Sequence, residues 1–229
     1  MPVPIDNRKS SIVNLAAVWP GTYALGPGRR FALWVQGCPF HCPGCLAPEW
    51  IAQVDARRVP VADLAAQVLE DAQITGLTLS GGEPMLQAGA LAELVIRVRR
   101  ERPALDVICF TGYRYADLLA GPPDPGVSLL LAQVDLLIDG PYVARLNDDR
   151  GLRGSRNQRF IHLTDRLAGI DFAARPRQVE VHLEDGQAFL VGVPPRRFTL
   201  AWEQAVQHAR AELEHPRGVF DEQKITVSD

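Results

Sequence analysis

The 229-residue sequence is poor in cysteine, histidine and net charge, with four cysteines, five histidines and a formal charge of −3. A charge that small excludes a broad nucleic-acid-binding face and an anionic-membrane anchor. The run Arg97, Arg99, Arg100, Arg102 is short and falls on a predicted helix, so it reads as a solvated helix face. No stretch reaches the ~18 apolar residues that a membrane helix requires. The opening MPVPIDNRKSS lacks the apolar core of a signal peptide. The expectation is a cytoplasmic protein with no membrane and no nucleic-acid partner. Internal repeats and low-complexity tracts are absent too. In a reducing cytosol structural disulfides are disfavoured, so clustered cysteines read as metal ligands or catalytic groups. What is there, 47% hydrophobic and 22% charged residues, suffices for one sizeable core and a small appendage.

The first ~30 residues carry Pro and Gly punctuation and read as irregular, with a short strand over Ile12–Val18. Phe31–Gln36 is an apolar run between turn residues, the pattern of a buried strand. Further strands are predicted over 74–79, 107–110, 134–138 and 159–163. Helices are predicted over 60–72, opened by Pro60, over 88–102, stopped by Pro103, and over 115–119. Pro122–Gly126 reads as a loop. This alternation predicts βαβ units on a parallel sheet, with ligands gathering at the carboxyl ends of the strands. The cysteines, Ser80-Gly-Gly-Glu83, Thr111-Gly-Tyr113 and Asp139-Gly140 all fall at such ends. After about residue 175 the pattern changes to a hairpin, 178–183 and 188–193 about an Asp185-Gly186 turn signal. A helix over 202–213 and a charged tail follow.

Cys38, Cys42 and Cys45 form C-x3-C-x2-C on one short predicted loop. Three thiolates so spaced can hold three corners of an iron–sulfur cubane and leave the fourth iron open, as a substrate-binding cluster requires. A zinc site is the alternative, but structural zinc wants four ligands, commonly in two spaced pairs. His41 sits between ligands in too short a loop to close a tetrahedron, and reads as packing near the cluster. Cys109 lies mid-strand and reads as core. Trp34 reads as packing beneath the cluster.

The C-x3-C-x2-C loop after an apolar strand, with Ser80-Gly81-Gly82-Glu83-Pro84 after the next, resembles the signature of the radical S-adenosylmethionine superfamily. Gly26–Cys38, Cys42-Pro-Gly-Cys45, Thr111-Gly112-Tyr113, Val134–Tyr142 and Arg153–Gln158 are similar to one branch, the activating proteins of anaerobic ribonucleoside-triphosphate reductase, among the glycyl-radical-enzyme activases. The resemblance covers roughly residues 12 to 165.

That resemblance implies an incomplete, TIM-like (βα)5–6 barrel over residues 1–170, and the hairpin and helix patterns that follow, outside the resemblance, read as a C-terminal extension over 171–229. It implies a [4Fe-4S] cluster on Cys38, Cys42 and Cys45, with S-adenosylmethionine chelated to the open iron. An external one-electron reductant of flavodoxin or ferredoxin type would drive cleavage to methionine and a 5′-deoxyadenosyl radical. Cluster and nucleotide supply the chemistry, and no further catalytic side chain is expected. Ser80, Gly81 and Gly82 are expected beside the methionine group, where glycine permits close backbone approach. Glu83 is expected to hold that segment by hydrogen bonds, and Thr111 is a further candidate. Asp139 either binds the ammonium or a ribose hydroxyl, or caps its loop. Ser155, Asn157 and Gln158 either bond the ligand or partner, or serve the loop alone. The partner implied is a glycyl-radical enzyme. A radical enzyme acting directly on a small molecule or ribosomal peptide is the second reading, and a non-catalytic iron–sulfur or zinc module the third.

Overall fold

The computed structural model describes residues 11–184 and 187–214. Seven strands form the main sheet: β1 (Ile12–Thr22), β2 (Arg30–Val35), β3 (Arg57–Pro60), β4 (Gly76–Gly81), β5 (Asp106–Thr111), β6 (Leu136–Asp139) and β7 (Arg159–His162). Their order is β3-β1-β2-β4-β5-β6-β7. Helices α1 (Val61–Glu70), α2 (Ala88–Glu101), α3 (Tyr115–Ala120) and α4 (Val127–Leu131) form the crossovers. A separate two-stranded antiparallel hairpin joins β8 (Val179–Glu184) to β9 (Gln187–Gly192), and α5 spans Arg196–Glu214. The Asp185-Gly186 turn signal and the charged tail lie outside the described residues. The chain divides into two compact units, Met1–Val193 and Pro194–Asp229. Among the described residues, no helix is long and apolar enough to cross a membrane.

The architecture is mixed α/β. Strands β2, β4, β5 and β6 run parallel, as the βαβ pattern predicts. The flanks differ: β1 and β3 on one side and β7 on the other pair antiparallel. An all-parallel sheet therefore stands corrected at both edges. Strand β1 runs past its predicted end at Val18 because bulges at Leu15/Ala17 and Pro20/Thr22 absorb the Pro20-Gly21 step. Strand β3 was not predicted. It is a four-residue edge strand, and its Arg57, Arg58 and Pro60 are residues that protect an edge from further pairing. Helix α4, also unpredicted, follows directly on the Pro122–Gly126 loop. Helix α5 begins six residues earlier than expected, because proline just ahead of a first turn lacks only a donor the helix does not use.

Alternation sorts the strands onto two faces. Phe31, Leu33, Val35, Leu77, Leu79, Val107, Cys109 and Leu137 pack beneath Leu64, Val68, Leu91, Val95 and Leu130 of the helices. Each such fully buried aliphatic side chain stabilises the fold by about 1.5–3 kcal/mol. Cys109 belongs to this core, and burial pushes its thiol well above the ordinary range. The opposite face carries Ala32, Trp34, Ile108, Leu136 and Ile138, covered by Leu152, Phe172 and Val191. At its amino end the Arg30 side chain is wholly buried. It pairs with Asp106 at 2.6 Å and donates to Thr78 Oγ1 at 2.7 Å and Leu77 O at 2.6 Å. A buried cation persists only when paired in this way. The amino ends are thus closed, and the carboxyl ends remain for a site.

The arginine run on α2 is not a solvated face. Arg99 reaches the buried Asp135 at 2.5 Å, and Arg102 donates to Leu69 O at 2.6 Å and Asp71 O at 2.7 Å, capping the carboxyl end of α1. Arg97 pairs with Glu93, and Arg100 alone of the four is exposed. The partners of Arg99 and Arg102 are distant in sequence, so composition could not reveal them.

Candidate functional site

The loop after β2 begins at Gly37, whose φ of +95° favours glycine. Gly37 N–H donates to Trp50 O at 2.9 Å and Cys38 N–H to Ile51 O at 3.0 Å, so the returning 48–52 turn anchors the base of the loop. Cys45 N–H donates to Cys42 O at 3.0 Å, and Gly44 at φ +76° completes the tight turn. The three thiols are unpaired and half-buried. Burial pushes Cys38 up to about 11, opposed by the Phe40 N–H, and raises Cys42, opposed by the Tyr142 N–H. Iron must therefore displace protons as it binds. Among the described residues no three His, Cys, Asp or Glu converge closely enough to share one metal ion. Three thiols on one short loop are soft donors of the kind that iron–sulfur clusters take. The donor set thus fits a cubane with three protein corners.

The turn after β4 is stitched to that loop through backbone. Gly82 N–H donates to Val35 O at 2.7 Å, and Glu83 N–H to Gly37 O at 2.8 Å. Ser80 lies in register with Trp34 on β2. Glu83 is fully buried and accepts from Met85 N at 2.9 Å, Thr111 Oγ1 at 2.8 Å and Gly112 N at 2.7 Å. It therefore ties its own turn to the loop after β5. Thr111 also accepts from Tyr113 N at 3.1 Å, so its hydroxyl works within the protein.

Burial raises the Glu83 carboxyl from the ordinary 4.5 to about 7, although its three donors pull the other way. The folded state then holds this proton more tightly than the unfolded chain does. Its contribution favours folding below about pH 4.5 and is lost as pH rises through about 7. Glu83→Gln cannot titrate. The stability of wild-type apoprotein relative to Glu83→Gln is expected to fall by about 1–3 kcal/mol between roughly pH 5 and pH 8. Urea denaturation across that range measures it, and a pH-independent difference counts against the raised carboxyl.

Asp139 is almost wholly buried. It ion-pairs with Arg159 and accepts from Tyr115 N at 2.7 Å at the start of α3, so both oxygens are engaged by protein. Ser155 Oγ accepts from Val143 N at 3.1 Å, and Asn157 Nδ2 donates to Pro141 O at 2.8 Å. Gln158 Oε1 accepts from Gly154 N and Ser155 N while its Nε2 donates to Gly140 O at 3.0 Å. Residues 153–158 therefore lace the 140–143 segment, and Tyr142 and Ala144 lie against Gly44.

Four loops thus meet at the carboxyl end: the cysteine loop, the Gly-Gly-Glu turn, the Thr111–Tyr113 loop and the 140–158 segment. Sequence reasoning missed Phe40, whose ring packs edge-on against Tyr113 at 4.8 Å and lies over Gly112. The spacing Phe40–Gly112 carries no local signal, although the glycine in Thr111-Gly-Tyr113 is the residue that the close approach requires.

A three-thiol loop so placed defines a single-cluster iron–sulfur protein. The family described as 4Fe-4S single cluster domain matches residues 24–161. The anaerobic ribonucleoside-triphosphate reductase-activating protein of Vibrio cholerae is 36% identical over 154 residues, 64% of this chain and 96% of that one. Its counterpart from Enterobacteria phage T4 is 33% identical over 158 residues, 67% of this chain and 96% of that one. The Escherichia coli K12 protein is 31% identical over 160 residues, 66% and 99% of the two chains. The chain belongs to this family of activating proteins. It is an activase-like enzyme of the radical S-adenosylmethionine oxidoreductase type, with a [4Fe-4S] cluster and S-adenosylmethionine as cofactors.

Proposed function

We propose that this chain is a cytoplasmic activase that generates a glycyl radical on an anaerobic ribonucleotide reductase. Cys38, Cys42 and Cys45 would hold the cluster, and Ser80, Gly81 and Gly82 would line the place of S-adenosylmethionine beside it. The observation that carries this reading is the Glu83 N–H to Gly37 O bond of 2.8 Å, which fixes the Gly-Gly-Glu turn against the residue before Cys38. Cluster loop and nucleotide-binding turn then share one geometry. A bound and reduced cluster would supply the electron that splits S-adenosylmethionine into methionine and a 5′-deoxyadenosyl radical. The protein's own part is placement and exclusion of water. Glu83 and Thr111 hold the turn, while Asp139, Ser155 and Asn157 shape the facing rim or meet the ligand. A small flavodoxin- or ferredoxin-type carrier delivers the electron. An incomplete (βα)5–6 barrel over residues 1–170 is the architecture that accompanies this reading, with 171–229 as an extension.

A second reading, direct action on a small molecule or peptide, draws support from Phe189 of the hairpin, which packs edge-on against Trp34 with centroids 5.6 Å apart. That contact narrows the same inner face that a partner loop would enter. The test mixes reconstituted, reduced protein and S-adenosylmethionine with purified anaerobic ribonucleotide reductase. The expected result is a glycyl-radical doublet in electron paramagnetic resonance, with one methionine released per radical. Release of 5′-deoxyadenosine with no radical on the reductase overturns the activase reading and favours the second.

A further inference from the structure

We propose that Arg177, which lies beyond the family match ending at residue 161, is a positioning residue of the cluster site. The inference rests on the proposed function for its chemistry and on the following contacts for its geometry.

The Arg177 side chain is 1% exposed, although it precedes β8 in a loop. Its guanidinium reaches across to one segment at several points. Nη1 donates to Asn147 Oδ1 at 2.9 Å and pairs with Asp149 at 3.2 Å. Nη2 donates to Arg153 O at 2.5 Å and Gly154 O at 3.3 Å. Asp149 is the one non-glycine at positive φ, +57°, among the described residues, a conformation that needs outside support. Gly151 at φ +66° packs against Phe172 and Ala173, and Leu152 N–H donates to Phe172 O at 3.1 Å. Residues 147–154 are therefore held from the carboxyl-terminal side, chiefly by one planar fork whose donors a lysine could only partly replace.

What this segment holds in turn is the cluster rim. Gly154 and Ser155 are bound to Gln158, Gln158 to Gly140, Ser155 to Val143 and Asn157 to Pro141. Arg156 N–H donates to Leu146 O at 2.9 Å. Tyr142, inside that lacing, lies against Gly44 between Cys42 and Cys45, and its backbone N–H opposes the burial that raises the Cys42 thiol. Hydrogen bonds to ligand sulfurs are among the levers that set a cluster's potential. The contacts described for Arg177 are to residues 147–154, so its influence passes through the placement of 140–158.

The test compares full-length wild type, Arg177→Met, Arg177→Lys and, as control, Arg102→Met. Arg102 is another carbonyl-capping arginine, but it secures α1 on the opposite face. Amide hydrogen exchange on the apoprotein should show residues 140–158 opening about tenfold faster or more in Arg177→Met, with β4 and β5 unchanged. The reconstituted variant should show a more negative cluster potential and a raised KM for S-adenosylmethionine. Arg102→Met should lower global stability without either change. Arg177→Lys should fall between wild type and Arg177→Met, and it carries the comparison if Arg177→Met does not fold. Exchange across 140–158 no faster than in Arg102→Met overturns the positioning role, as does a wild-type potential and KM in both Arg177 variants. A wild type that binds no cluster defeats the proposed function instead.

Discussion

A Cys42→Ala protein, reconstituted anaerobically and reduced in the presence of S-adenosylmethionine, is expected to release 5′-deoxyadenosine about a hundredfold more slowly than wild type or not at all. The loss should be chemical and not structural. The loop is shaped by main-chain bonds, Cys45 N–H to Cys42 O and Gly37 N–H to Trp50 O, and by the positive φ of Gly37 and Gly44. None of these needs the thiol. The fourth cysteine cannot substitute, because Cys109 is wholly buried in the core beneath the helices. The lost corner therefore has no replacement among the described cysteines. Iron content and the visible spectrum should fall together with product release, while thermal unfolding of the apoprotein stays close to wild type. Cys109→Ala is the matching control and should retain release. Wild-type release by Cys42→Ala contradicts the ligand assignment.

The parts of the molecule legible in the sequence are those fixed by local pattern. Phe31–Gln36 reads as a buried strand because it is short, apolar and bounded by turn residues, and β2 is indeed buried along its whole length. Helices α1 and α2 declare themselves by apolar spacing and by the prolines at Pro60 and Pro103. The cysteines and the Gly-Gly-Glu turn are visible because both motifs are contiguous. What was not legible depends on partners far along the chain. The antiparallel edges arise from β1 pairing with both β2 and β3 and from β7 pairing with β6, and strand direction leaves no mark on alternation. The arginines of α2 look solvated until Asp135 and the carboxyl end of α1 are brought beside them. Arg177 offers no motif, since its fork is satisfied by backbone carbonyls of residues 153 and 154 and by side chains of Asn147 and Asp149 about 30 residues back.

The contiguous glycines yield the other large prediction. A methyl group at Gly81 would lie 2.2 Å from Val35 N and 2.5 Å from Val35 O, and Gly81 sits at φ +115°. A methyl at Gly82 would lie 2.2 Å from Gly37 O. In both cases the obstacle is backbone, so no rotamer change relieves it. Relief requires the end of β4 to withdraw from β2, which breaks the Gly82–Val35 bond of 2.7 Å and the Glu83–Gly37 bond of 2.8 Å. Gly81→Ala combines this clash with a strained φ and should cost about 3 kcal/mol or more in denaturant unfolding. Gly82→Ala meets the contact alone. Its cost should be smaller in stability, but its effect on S-adenosylmethionine binding should be as large, because the residue it displaces stands directly before Cys38. Gly169, with nothing within 4 Å of its added methyl, provides the control, and Gly169→Ala should stay within about 0.5 kcal/mol of wild type. If Gly82→Ala binds S-adenosylmethionine with wild-type affinity, the close backbone approach between the turn and the cysteine loop is not what builds the site.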